Sequence, residues 1–183
     1  MTTRTASFPV EEHVLAPVLA PYKPSCRYLQ TATVELPPRP AREGDAEPEL
    51  SLHCTFAIPE SCYIDDTGHF NSVEFNICFN QMYYMGTAAG AHYDLVPALE
   101  SMDLEEFLRR QLPDALIHEF HSKFEKPMQA RAFEGRIAFH SVTERRGFLY
   151  FKMTAAYWDA EGGHCHGAVT MVMVDRGGEA GGA

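Results

Sequence analysis

The chain has 183 residues, 45% hydrophobic and 22% charged, enough apolar material for one continuous core. Its 25 acidic against 15 basic residues give a formal charge of −10, which argues against a nucleic-acid partner, since binding phosphate needs clustered Lys and Arg. No apolar run approaches the ~18 residues of a membrane span, and Met1–Phe8 lacks the apolar core of a signal peptide, so neither a membrane nor a secreted protein is expected.

Residues 1–12 read as a flexible arm, 13–175 as one domain and 176–183, rich in glycine, as a disordered tail. A short helix is predicted near Glu12–Leu19, and Pro21 and Pro24 bracket a turning linker. Cys26–Leu36 is a candidate strand, and the Pro-rich, charged stretch 37–49 a candidate exposed loop. A second strand, Leu50–Ile58, leads to Tyr63-Ile-Asp-Asp-Thr-Gly-His69-Phe-Asn71-Ser-Val-Glu74. There a helix begins, predicted over Phe70–Ala89 and apolar nearly all round, as in a buried helix. Leu104, Phe107, Leu108 and Leu112 carry helical spacing through Met102–Leu112. Four strands follow at Ala115–Phe124, Ala132–Val142, Phe148–Trp158 and His164–Val174. This order fits an α+β hot-dog fold, an antiparallel sheet wrapped around one buried helix; a cone-shaped α+β fold is the competitor. The five cysteines are odd in number and form no Cys-x-x-Cys pair, which points to reduced thiols and a cytoplasmic setting.

The long helix carries polar residues along two seams, Asn71, Glu74 and Gln81 on one and Asn76 and Asn80 on the other. Buried polar groups are costly unless partnered, so these seams either line a pocket or satisfy the backbone of neighbouring strands. His164-Cys165-His166, with His53-Cys54, imitates a metal ligand set. The adjoining Gly162-Gly163 turn favours an exposed hairpin end, and no metal is expected.

Pro21-Tyr22, Cys26-Arg27-Tyr28-Leu29, Glu60-Ser61-Cys62-Tyr63-Ile64, Thr67-Gly68-His69-Phe70-Asn71, Cys78-Phe79-Asn80-Gln81 and Phe124-Glu125-Lys126-Pro127 resemble the FcoT family of hot-dog thioesterase-like enzymes. The resemblance covers residues 20 to 175. It implies addition of glycine across the double bond of a trans-2-enoyl thioester on acyl carrier protein (ACP), as in isonitrile-lipopeptide and β-amino-acid pathways. Hydrolysis then releases a 3-(carboxymethylamino) fatty acid. Other relatives act as plain acyl-CoA thioesterases. The implied partners are ACP, glycine and a second copy of the chain in a homodimer. No cofactor is implied beyond the phosphopantetheine or CoA that carries the substrate.

Both steps place negative charge on the thioester oxygen, so one donor set serves both. The start of the long helix offers unpaired N–H groups there, with Gly68 allowing a tight turn. Tyr63 or Asn71 supplies a side-chain donor. His69 is the candidate general base, because an imidazole with a pKa near ~6.5 takes a proton from glycine and later from water. Glu74 either orients the amine or water, or partners Asn71 one helical turn back. Tyr22, Phe70, Asn80 and Gln81 are candidate pocket residues. Arg27, Lys123 and Lys126 are candidate cations for the glycine carboxylate, with solvated surface charge as the alternative. Arg109 and Arg110, or Lys123 and Lys126, are candidates for docking ACP. A simple thioesterase and a noncatalytic acyl-binding protein are the rival readings.

Overall fold

The computed structural model describes residues 6–37, 48–65 and 68–174. Strand β1 (Ala6–Pro9) precedes helix α1 (Glu12–Leu19), a single turn at Pro24–Cys26, and strands β2 (Leu29–Leu36) and β3 (Leu50–Phe56). Helix α2 (Ser72–His92) and the short helix α3 (Leu104–Arg110) follow. The chain ends in strands β4 (Ala115–Lys126), β5 (Phe133–Glu144), β6 (Phe148–Trp158) and β7 (His164–Val174).

All seven strands join one antiparallel sheet in the order β1-β2-β3-β5-β6-β7-β4. Alternation sets its inner face: Phe133, Gly135, Ile137 and Phe139 of β5, and Leu149, Phe151, Met153, Ala155 and Tyr157 of β6, are buried between more exposed neighbours. Against that face lies α2, with Phe75, Cys78, Phe79, Met82, Met85 and Ala89 buried. Burying each large apolar side chain contributes roughly 1.5–3 kcal/mol, which fixes the helix against the sheet. Contact is close at Gly86, where an added Cβ would lie 2.4 Å from the Phe139 ring. The sheet wraps one buried helix, the hot-dog architecture.

Several boundaries differ from the sequence reading. Ala6–Pro9, assigned there to a loose arm, pairs with Thr33–Leu36 as an edge strand. Strand β2 starts at Leu29 because Pro24–Cys26 takes a helical turn. Helix α2 starts at Ser72, where Asn71 caps it, and runs on to His92. Most of the expected Pro-rich loop (38–47) and the tail from residue 175 lie outside the described residues. The thiols of Cys54, Cys78 and Cys165 are buried, and all five cysteines are unpaired. Among the described residues no helix is long and apolar enough to cross a membrane.

Candidate active site

Phe70 anchors the segment that enters α2. Its ring is buried between Phe133 (centroids 4.8 Å) and Tyr157 (5.3 Å), and its N–H donates to the Met128 carbonyl at 2.9 Å. With Phe70 held inward, its neighbour His69 stays at the surface beside Gly68, whose φ of +73° suits glycine. Asn71 closes the turn: its Oδ1 accepts from Val73 N (2.9 Å) and Glu74 N (3.3 Å), while Glu74 Oε2 accepts from Asn71 N (3.2 Å). This reciprocal capping box satisfies amides that the helix itself cannot. It also narrows the expected oxyanion donors. Val73 and Glu74 N–H are taken, leaving Ser72 N–H, which has no intrahelical acceptor, as the first-turn amide open to a substrate oxygen among the described residues.

Two hollows meet at His69. A small one, about 150 Å³, is lined by Glu60, Ser61, Asp65, His69, Glu74 and Arg131, among others. The second is an open groove of about 660 Å³ lined by His69, Phe70, Asn71, Ser72, Phe124 and Pro127. His69 and Gly68 line both. The first is charged and the second largely apolar, so His69 stands where a polar reactant and a greasy one can meet.

The far wall of the small hollow comes from the β4–β5 connection. Ile58 N donates to Ala130 O at 3.1 Å, and Gln129 Oε1 accepts from Arg131 N and Ala132 N at 2.8 and 3.1 Å. Asp159 braces the connection by accepting from Gln129 N (2.8 Å), and the following hairpin through Glu161 N (2.9 Å) and Gly163 N (2.8 Å). Burial works against the Asp159 charge, but these three donors outweigh it and hold the carboxyl below its usual pKa.

The structure gathers Gly68, His69, Phe70, Asn71 and Glu74, all from one segment. It does not gather the rest. Tyr63 is 50% exposed and lines neither hollow. Tyr22 packs against Tyr84, with ring centroids 6.5 Å apart. Burial, then the Tyr84 phenol, pushes its pKa far above the ordinary value, so it is no proton carrier. Asn80 donates to Asn76 Oδ1 at 3.2 Å. Gln81 is fully buried; it accepts from Tyr28 N (3.1 Å) and Leu29 N (2.8 Å) and donates to Cys26 O (2.6 Å). Its amide serves the backbone, which corrects the pocket assignment. Arg27 donates to the Tyr22 and Ala20 carbonyls, both at 3.1 Å, just after α1. Lys123 pairs with Glu125 at 2.7 Å and Lys126 donates to Glu161 O at 3.3 Å. These three cations lie on neither hollow and already have partners.

Sequence reasoning missed Arg131 and Gln129, because nothing local marks a β4–β5 loop as the wall of a site some 60 residues earlier in the chain. Glu60, Ser61, Phe124 and Pro127 stood inside motifs without a role. Cys78, on α2, is buried, and burial followed by the Glu74 charge pushes its thiol well above the ordinary pKa, so it is no nucleophile. His164 and His166 are exposed while Cys165 faces the core against Met128, so that trio does not converge. Among the described residues, the side chains spaced to share a metal ion are Glu11, His13 and His92, at the opposite end of α2.

Residues 17–173 match the FcoT-like thioesterase domain. The chain belongs to this family. Among curated relatives, a (2E)-enoyl-ACP glycyltransferase from Streptomyces coeruleorubidus is 43% identical to this FcoT-like chain over 170 residues, covering 90% of it and 98% of the relative. One of the same name from Mycobacterium tuberculosis H37Rv is 30% identical over 175 residues, covering 93% and 91%. A solved structure of a proposed thioesterase from Syntrophus aciditrophicus superposes on the FcoT-like fold with a TM-score of 0.53 at 11% identity, covering 89% of this chain and 97% of that one. That likeness concerns the fold alone.

Proposed function

We propose that this FcoT-like protein adds glycine to the β-carbon of a trans-2-enoyl thioester on ACP and then hydrolyses the thioester. The observation that carries this reading is His69 on the shared wall of a charged hollow and an apolar groove, in a chain 43% identical to a glycyltransferase. Glycine enters the hollow as a zwitterion, and His69 takes a proton from its ammonium group. The freed amine attacks the β-carbon, a C–N bond forms, and the π electrons move through Cα onto the thioester oxygen. Protonation at Cα completes the adduct. Water, deprotonated by the same imidazole, then attacks the carbonyl; the tetrahedral intermediate collapses, the C–S bond breaks and the thiol leaves with a proton. One glycine and one water are consumed, and a 3-(carboxymethylamino) fatty acid is released.

In both steps the oxygen carries the charge, and the first turn of α2 is the supporting feature, with Ser72 N–H as donor. Glu74 holds Asn71 in place and faces the hollow. Phe70, Phe124 and Pro127 give the acyl chain an apolar bed. Lys123 and Lys126 flank Phe124 and suit an acidic ACP better than Arg110, which is 9% exposed and tied to Glu106 and Asp114. A homodimer, a cytoplasmic setting and a place in isonitrile-lipopeptide assembly complete the reading.

The test is a 2-enoyl-ACP incubated with and without glycine, with product followed by mass. A glycine-dependent 3-(carboxymethylamino) acid is expected. Free enoic acid formed equally without glycine would mean a simple thioesterase, and no turnover an acyl-binding protein. His69→Ala should lower the addition rate about 100-fold or more while preserving the fold; near-normal turnover removes His69 from the mechanism.

A further inference from the structure

The small hollow holds more charge than acyl chemistry needs. Glu60, Asp65 and Glu74 bring carboxylates, Arg131 a guanidinium and His69 an imidazole to a space of about 150 Å³. Among the described residues, two of its polar groups lack protein partners. The Ser61 hydroxyl is buried with no hydrogen-bond partner, and the Arg131 side chain forms no ion pair among the described residues. A buried hydroxyl left unpaired costs free energy unless a ligand or water meets it. Both groups belong to residues lining the same hollow, together with Glu74, whose Oε2 accepts from Asn71 N.

We infer that this hollow is the amino-acid subsite, with Arg131 as the residue that grips the glycine carboxylate. The inference rests on the glycyltransferase reading above. A guanidinium presents paired N–H donors that match a carboxylate bidentately, which neither Lys123 nor Lys126 can do. The carboxylates of the same hollow attract the ammonium end, and Glu74 and His69 among its lining residues stand where the proton is removed. The nitrogen then lies beside the groove that receives the β-carbon. Arg131 touches substrate without exchanging a proton, so it binds and orients.

Size makes the subsite selective. A cavity of about 150 Å³ accommodates benzene, and glycine has one heavy atom fewer. A larger side chain on the α-carbon would meet the braced Gln129–Arg131 wall. One extra carbon in a fitted pocket lowers kcat/KM by roughly 10- to 200-fold, so alanine should be a poor donor and branched amino acids inert. Glycinamide, which keeps the amine and loses the carboxylate charge, should also be poor with the wild-type protein.

Steady-state kinetics of Arg131→Met and Arg131→Lys with enoyl-ACP, glycine and glycinamide test this. Arg131→Met should raise the KM for glycine by roughly 10- to 100-fold, leave the KM for enoyl-ACP near wild type, and erase the preference for glycine over glycinamide. Arg131→Lys should recover part of the glycine KM, because it restores charge without the fork. A wild-type adduct together with an unchanged glycine KM and preference in Arg131→Met overturns the subsite and leaves the function standing. No adduct from the wild-type protein overturns both.

Discussion

Gln81 ties the middle of α2 to the strand-entry segment Cys26–Leu29 with three hydrogen bonds and no exposed surface. Gln81→Leu would strand two buried N–H groups and a carbonyl at about 1–3 kcal/mol each before relaxation. For a chain of this size an overall loss of about 3 kcal/mol lowers Tm by roughly 6–12 °C, which thermal circular dichroism would read. If Gln81 bound substrate instead, the variant would raise KM with Tm unchanged. The polar seam on an apolar helix was visible in the sequence, but its aim was not, because its partners lie more than 50 residues away. Glu74 shows the legible side of the same problem. The Asn71-x-x-Glu74 spacing of a capping box allowed its pairing with Asn71, and that pairing forms. Arg131 was beyond local reading, since only the packing of the β4–β5 connection brings it to His69.

The β4–β5 connection owes its shape to Asp159 at the end of β6, which accepts from Gln129, Glu161 and Gly163. Its folded-state pKa lies below the ordinary carboxylate value, so the charged form favours the folded state. That contribution is fully present above about pH 5 and is lost as pH falls through the folded pKa. Asp159→Asn should therefore lower stability at neutral pH and weaken the acid-side fall in Tm; parallel pH–Tm curves for both proteins would refute the assignment. The loop also carries Arg131, so the variant should raise the KM for glycine more than that for enoyl-ACP. Strands β5, β6 and β7 were readable from alternation and their Gly-containing turns, and α2 from its length and apolarity. Strand β1 was not. Ala6–Pro9 has no alternation to betray it and becomes a strand only by pairing with Thr33–Leu36.

Sheet order is a property of the assembled chain, and the order found here leaves β1 and β4 as the edges. The first is four residues long; the second is twelve and, among the described residues, offers an unpaired ladder of N–H and C=O groups. Leu116 and Ile117 on β4 are 57% and 40% exposed, with Leu112 just before it 56% exposed. A long edge with exposed apolar side chains invites pairing with another strand unless something covers it. Among the described residues nothing does, and a second copy laying its own β4 alongside would extend the sheet and bury those side chains. This is the homodimer proposed above, and it bears on the site because Phe124 of the same strand lines the groove beside His69. A double variant carrying Leu116→Lys and Ile117→Lys puts charge on that edge and should run as a monomer by light scattering where the wild type runs as a dimer. Its KM for enoyl-ACP should rise several-fold, since Phe124 loses its support, while that for glycine should hold, because the Arg131 hollow lies on the other side of His69. A wild-type chain that is monomeric at micromolar concentration would leave the β4 edge to some other partner and the groove complete within one copy.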